Sequence, residues 1–221
     1  MDAILAAILE SDLALVKMLI RQQPALVNRR VETATLYESS IFHWLYVGDC
    51  ALHLAAAGYR LEIVNSLISS GADPNSAFNH RRGAPLHYAA DGCINDPAWN
   101  PIRQIETIRC LLDAGAEIDL QDKNGATPLH RAVRTRCAAA VKYLLNAGSD
   151  PQIRNKPGST AFHLAVQNTG RGGSGTPEAI AAQRQIIEAF RAHRVSPALK
   201  DGKGKTVFEC AWSGNVIEWL S

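Results

Sequence analysis

Four short segments of this 221-residue chain repeat one another: A-L-H-L-A-A at Ala51–Ala56, P-L-H-Y-A-A at Pro85–Ala90, P-L-H-R-A-V at Pro128–Val133 and A-F-H-L-A-V at Ala161–Val166. Their histidines, His53, His87, His130 and His163, stand 34, 43 and 33 residues apart. Self-similarity at such a period means a stack of small supersecondary units. One unit alone cannot bury its apolar face, so cohesion comes from neighbours. A chain of this kind works by presenting a surface.

The residues around each segment carry the same message. The cleanest stretch runs D-K-N-G-A-T-P-L-H-R-A from Asp122 to Ala132, then A-V-K-Y-L-L-N-A-G-S-D-P from Ala140 to Pro151. Thr127 suits a helix N-cap, Pro128 the first helical position, and Gly148 the left-handed residue that closes a second helix. Leu61–Asn75 and Ile105–Asp119 repeat the second helix, with apolar residues at helical spacing before Gly71 and Gly115. This register of turn, short helix, second helix and finger resembles the ankyrin repeat family.

The resemblance spans the chain. It implies an all-α solenoid of stacked helix-turn-helix units with β-hairpin fingers. The units divide as N-terminal cap helices over 1–29, an inserted finger over 30–44, repeats over 45–78, 79–121, 122–154 and 155–200, and a C-terminal cap over 201–221. The cap helices are expected at Ala3–Leu9 and Leu13–Ile20, before Pro24. Terminal units are atypical because one face meets water, and Glu209 accordingly stands where the histidine belongs. Two further departures concern the backbone: Arg194 replaces a closing glycine, and Arg136-Cys137 replaces Gly-His. Arg194 then requires either a left-handed residue that is not glycine or a different helix ending.

Composition excludes several function classes. With 47% hydrophobic residues and regular turns the chain is not disordered, and a net charge of +2 does not by itself imply nucleic acid. Five scattered cysteines without a C-x-x-C pair point to reduced thiols and a cytoplasmic, intracellular setting. Asp2 and Glu10 argue against a secretory leader, and no apolar run is long enough to span a membrane.

Apparent chemical motifs fail on context. Gly170–Gly175 reads G-x-G-x-x-G, but a repeat helix precedes it where a strand would be needed. Gly204-Lys205-Thr206 imitates a phosphate loop, yet Leu199 occupies the position of its first glycine. The four histidines sit in successive turns roughly 10 Å apart, too far to share a metal held at about 2 Å; the family uses them to bond turn backbone. Cys50 replaces a capping threonine three residues before His53, with no third orienting group in view. No catalytic, metal or cofactor-binding residue is expected.

Extra residues are more informative, because a stack does not need them. Arg30–Trp44 is rich in β-branched and aromatic residues and reads as a β-hairpin turning at Glu38-Ser39-Ser40. Tyr37, Phe42, Trp44 and Tyr46 either shield the first helices or form an exposed aromatic platform. A second insertion, 93–102, carries Trp99 between prolines, and a third, 169–181, can start a helix at Thr176-Pro177-Glu178. Both lie between the two helices of a repeat.

Set in the repeat register, the finger tips carry His80 and Arg81, Lys123 and Asn124, Lys156, and Lys203 with Lys205, while Arg82 takes a glycine's place and Arg134 ends a first helix. The resemblance implies that such positions line the binding groove. The expectation is a monomeric, non-enzymatic module that grips a protein or acidic peptide with these tips, the hairpin aromatics and Trp99. The alternative is a small-ligand or enzymatic site under the insertions, lined by His43, Trp44, Trp99 or Arg171. Nucleic acid fits poorly, since the aromatics do not interleave with the basic residues.

Overall fold

The computed structural model describes residues 2–38, 41–92, 99–167 and 176–220, with Glu38 and Phe42 in backbone only. The sequence leads to the expectation of one domain. Its contacts resolve into two compact units, Met1–Ala89 with Ile102–Glu117 and Ala90–Pro101 with Ile118–Ser221.

In the first unit, α1 (Ala3–Leu9) and α2 (Leu13–Gln22) are the predicted pair, α2 being two residues longer. Asp2 and Asp12 cap them by accepting the backbone N–H groups of Ile4 and Leu15. Pro24 opens a single 3-10 turn, Pro24–Asn28. The predicted hairpin follows as β1 (Thr35–Glu38) and β2 (Phe42–Leu45), antiparallel, with Leu36 opposite Trp44 and Tyr37 opposite His43. Of its expected turn at Glu38-Ser39-Ser40, Glu38 instead ends β1, and residues 39–40 lie outside the described residues. Then come α3 (Ala51–Ala57), α4 (Leu61–Ser69), α5 (Pro85–Ala90) and α6 (Pro101–Asp113). The core gathers Ile8, Val16, Leu52, Leu54, Val64 and Leu67, all essentially without exposure. Each such side chain contributes about 2 kcal/mol.

The second unit contains α7 (Pro128–Arg134), α8 (Ala138–Asn146), α9 (Ala161–Ala165), α10 (Pro177–Ala192), α11 (Val207–Cys210) and α12 (Gly214–Leu220). Thr127, Thr160 and Thr206 cap α7, α9 and α11, and Thr176 caps α10 as its Thr-Pro-Glu start predicts. Phe162 and Phe190 stack at 4.6 Å in the core.

The repeated histidines act as backbone clasps. Nδ1 of His53, His87, His130 and His163 accepts the N–H of the capping residue at 3.1–3.4 Å. In His87, His130 and His163 that fixes the neutral ring with its proton on Nε2; Nε2 of His53, His130 and His163 donates to the carbonyl of a later turn, Gly83, Ser159 and Lys205 respectively. Burial lowers the pKa of His130 and of His163, which suits the neutral form. At position 209 the carboxylate takes over Nδ1's task, accepting from the backbone N–H and hydroxyl of Thr206.

Two buried glutamines went unnoticed in the sequence. Gln104 in α6 donates to the carbonyl of Ala89, and Gln183 in α10 donates to that of Ala165. Each sits in its helix's apolar stripe, directly after an insertion, and satisfies the last turn of the preceding short helix. Gln104→Leu is expected to cost about 2 kcal/mol, because the buried Ala89 carbonyl loses this donor, and Gln183→Leu less, because Arg136 still donates to the Ala165 carbonyl. Chemical denaturation checks this, and a loss below about 0.5 kcal/mol would dismiss the role.

Arg194 takes φ 56°, the left-handed one of its two expected endings. Arg136 has φ 62°, and instead of disturbing its neighbours its buried guanidinium donates to the carbonyls of Ala165 and Gln167.

Candidate functional site

Asp49 organises the finger surface of the first unit. It is wholly buried, yet its carboxylate accepts from the Tyr46 backbone N–H at 2.6 Å, the Asn79 side-chain amide at 2.7 Å and the Tyr88 hydroxyl at 2.7 Å. Asn79 in turn accepts the N–H groups of Arg81 and Gly83 through its own oxygen. This is the turn geometry Asp122 makes with Asn124 and Ala126. One carboxylate thus fixes the start of the 46–49 turn and the 79–83 turn together. Gly48 makes the approach possible: at φ +92°, a Cβ there would stand 2.5 Å from the Phe78 carbonyl oxygen.

Tyr46 lies at the centre of what this brings together. Trp44 stacks beside it at 6.3 Å, His80 meets its edge at 5.0 Å, and the Arg81 guanidinium sits 4.4 Å over its ring. Nearby in sequence, Arg30 lies 3.7 Å over Phe78, which is 61% exposed. Hairpin aromatics and basic finger tip, predicted separately, form one cluster.

The hairpin set divides by strand alternation. Trp44 is 42% exposed on one face, whereas Tyr37 is 7% exposed on the other with Leu45. Tyr37 therefore belongs to the packing and not to a platform; burial raises its phenol pKa, with the Asp2 charge adding to it. The period of two between 42, 44 and 46 was the signal that separates these roles. The side chain of Phe42 lies outside the described residues.

In the second unit the lysine-bearing turns are joined through backbone. Lys156 N–H donates to the Asn124 carbonyl at 2.8 Å, and Gly202 N–H donates to the Gly158 carbonyl at 2.8 Å. Lys123, Asn124, Lys156 and Lys203 are exposed on these successive turns. Arg134 has another engagement. Its guanidinium reaches Asp91 at 3.4 Å, beside Arg131, which also pairs with Asp122 at 2.6 Å. Arg131 pulls the Asp122 carboxyl below its usual range against the opposing effect of burial. Trp99 is half-buried.

The catalytic alternative finds a third group after all, since Asp49 stands 3.5 Å from His53 Nε2 while the Cys50 sulfur is 3.3 Å from Nδ1. All three residues are buried, however, and Nδ1 already accepts the Cys50 N–H. The thiol copies the hydroxyls of Thr127 and Thr160, which sit 2.9 and 2.8 Å from their histidines. Open clefts of about 370 and 550 Å³ occur in the first unit, lined by residues such as Tyr59, Arg60 and Arg103 or Lys17, Asn65 and Ser69. Neither includes His43, Trp44 or Trp99, and Arg171 lies outside the described residues. Among the described residues no group of three His, Cys, Asp or Glu side chains is arranged to hold a metal ion, and no helix is long and apolar enough to cross a membrane.

Sequence comparison matches residues 47–79 to the ankyrin repeat model and residues 98–174 to the model for three ankyrin repeats. The chain is similar to the E3 ubiquitin-protein ligase Ufd4 of Drosophila melanogaster, 41% identical over 86 residues, which cover 39% of this chain and 3% of that protein. It is also similar to human Ankyrin repeat and SOCS box protein 3, 32% identical over 113 residues, covering 40% of this chain and 22% of that one. These matches thus span a small part of the relatives' length. Among solved structures, an ankyrin repeat domain from Acinetobacter baumannii AYE superposes with a TM-score of 0.72 at 23% identity, covering 98% of this chain and 95% of that one.

Proposed function

We propose that this chain, which belongs to the ankyrin repeat family, binds an acidic segment of a partner protein along its finger turns, as a monomeric, non-enzymatic, intracellular module. Ankyrin repeats are in general protein–protein interaction modules. The observation that carries the finer reading is the Tyr46 cluster, where Trp44, His80 and Arg81 meet one ring. Trp and Tyr at such positions supply most affinity, and exposed cations supply encounter rate and sign. Lys123, Asn124, Lys156 and Lys203 offer the second unit's basic turns to the same kind of ligand. Tyr37 contributes by packing, and Arg134 acts through its pairing with Asp91.

The test begins with affinity capture from native cells using the full chain, followed by titration of the captured partner. Reversing Arg81, Lys123 and Lys156 to Glu is expected to weaken binding by about tenfold or more and to flatten its salt dependence. Unchanged affinity and an unchanged salt slope would remove the basic surface from the account.

A further inference from the structure

We infer that the Tyr46 cluster reads one carboxylate side chain set beside an apolar residue in an extended partner segment; this rests on the protein-binding reading above. The state of the arginines carries the argument. Some arginines of the molecule meet acids: Arg29 with Asp2, Arg131 with Asp91 and Asp122, Arg134 with Asp91, Arg184 with Glu188. None of the ion pairs among the described residues uses Arg30 or Arg81. Instead the guanidinium carbon of Arg81 lies 4.4 Å over the Tyr46 ring and that of Arg30 3.7 Å over the Phe78 ring. A guanidinium held by its face presents its N–H edge outward, and that edge matches the two oxygens of a carboxylate.

The neighbourhood fits the rest of such a ligand. Trp44, Val47 and Phe78 are 42%, 49% and 61% exposed, so an apolar side chain next to the acid has rings and a methyl surface to cover. The site is also held in advance, because the Tyr46 and Arg81 backbones are fixed through Asp49 and Asn79, themselves 2.7 Å apart. Little ordering remains to be done on binding. A dianionic phosphate would call for several cations converging on one point. Here each arginine has its own ring. Arg82 adds positive charge at φ 51°, a strained conformation that glycine would occupy freely.

The experiment pans a random short-peptide phage library on the full chain. The expected product is a set with Asp or Glu adjacent to Phe, Trp, Leu, Ile or Met. For a synthetic peptide from that set, acid-to-amide exchange in the peptide, or Arg81→Gln in the protein, is expected to weaken binding about tenfold, the loss of one charge-assisted contact. Tyr46→Ala is expected to do the same by removing the ring beneath Arg81, with circular dichroism and melting confirming the fold of each variant. Lys142→Glu, exposed on α8 in the other unit and outside the proposed binding surface, should leave this short peptide's affinity within about twofold. Enrichment without acids, no enrichment, an indifferent Arg81→Gln, or binding of phosphopeptides alone would each overturn the inference. The protein-binding reading would survive those outcomes if the native partner is still captured, and fails separately if it is not.

Discussion

Asp49→Ala is expected to remove about 4 kcal/mol of stability, measured as a lower denaturation midpoint with an unchanged slope. The carboxylate is fully buried and accepts from Tyr46, Asn79 and Tyr88. Alanine leaves a backbone N–H and a phenol hydroxyl without their acceptor, and each orphan costs about 1–3 kcal/mol. Asn79 keeps its second bond to the Gly83 carbonyl, which moderates its share. The fluorescence of Trp44 should change as well, since its neighbour Tyr46 loses its anchor. A loss below about 1 kcal/mol would mean that the surrounding backbone relaxes to water, and the organising role would fall.

Arg136→Gly is the second large effect, and here two terms oppose each other. Glycine removes the cost of φ 62°, about 1 kcal/mol. It also deletes a buried guanidinium that serves two carbonyls at the end of α9, at 3.1 and 2.8 Å, and leaves its volume empty. The second term wins by about 3 kcal/mol net. Arg194→Gly has the same backbone gain at φ 56° with an exposed side chain, so it should stabilise by about 0.5 kcal/mol. Equal signs for the two variants, in parallel urea titrations, would refute the assignment of Arg136.

Local rules made the helices legible. Thr127 and Pro128, Thr176 and Pro177, and Asp12 before Leu13 each state a start that the backbone needs for its own hydrogen bonds. The hairpin was legible too, because β-branched and aromatic residues have no place in a helix-turn-helix period. What stayed hidden has one physical cause: the partners lie far apart in sequence and are ordinary residue types. Asp49 meets Asn79 and Tyr88 at separations of 30 and 39 residues. Nothing in D-C-A-L-H announces a buried acid. Tyr46 and Arg81 fell into separate expectations, aromatic hairpin and basic tip, though one surface contains both. Gln104 and Gln183 did leave a trace, a polar residue inside an apolar stripe directly after each insertion.

The amide at Asn79 restricts how this finger can change over generations. Aspartate would keep the two turn bonds that its oxygen makes, as Asp122 does, but would set a second negative charge against Asp49 where the amide now lies 2.7 Å away. Loss of the acid at 49 would in turn leave the amide without that acceptor. Neither codon can drift on its own without a poorly folded intermediate, so the two must be inherited, or exchanged, as a pair.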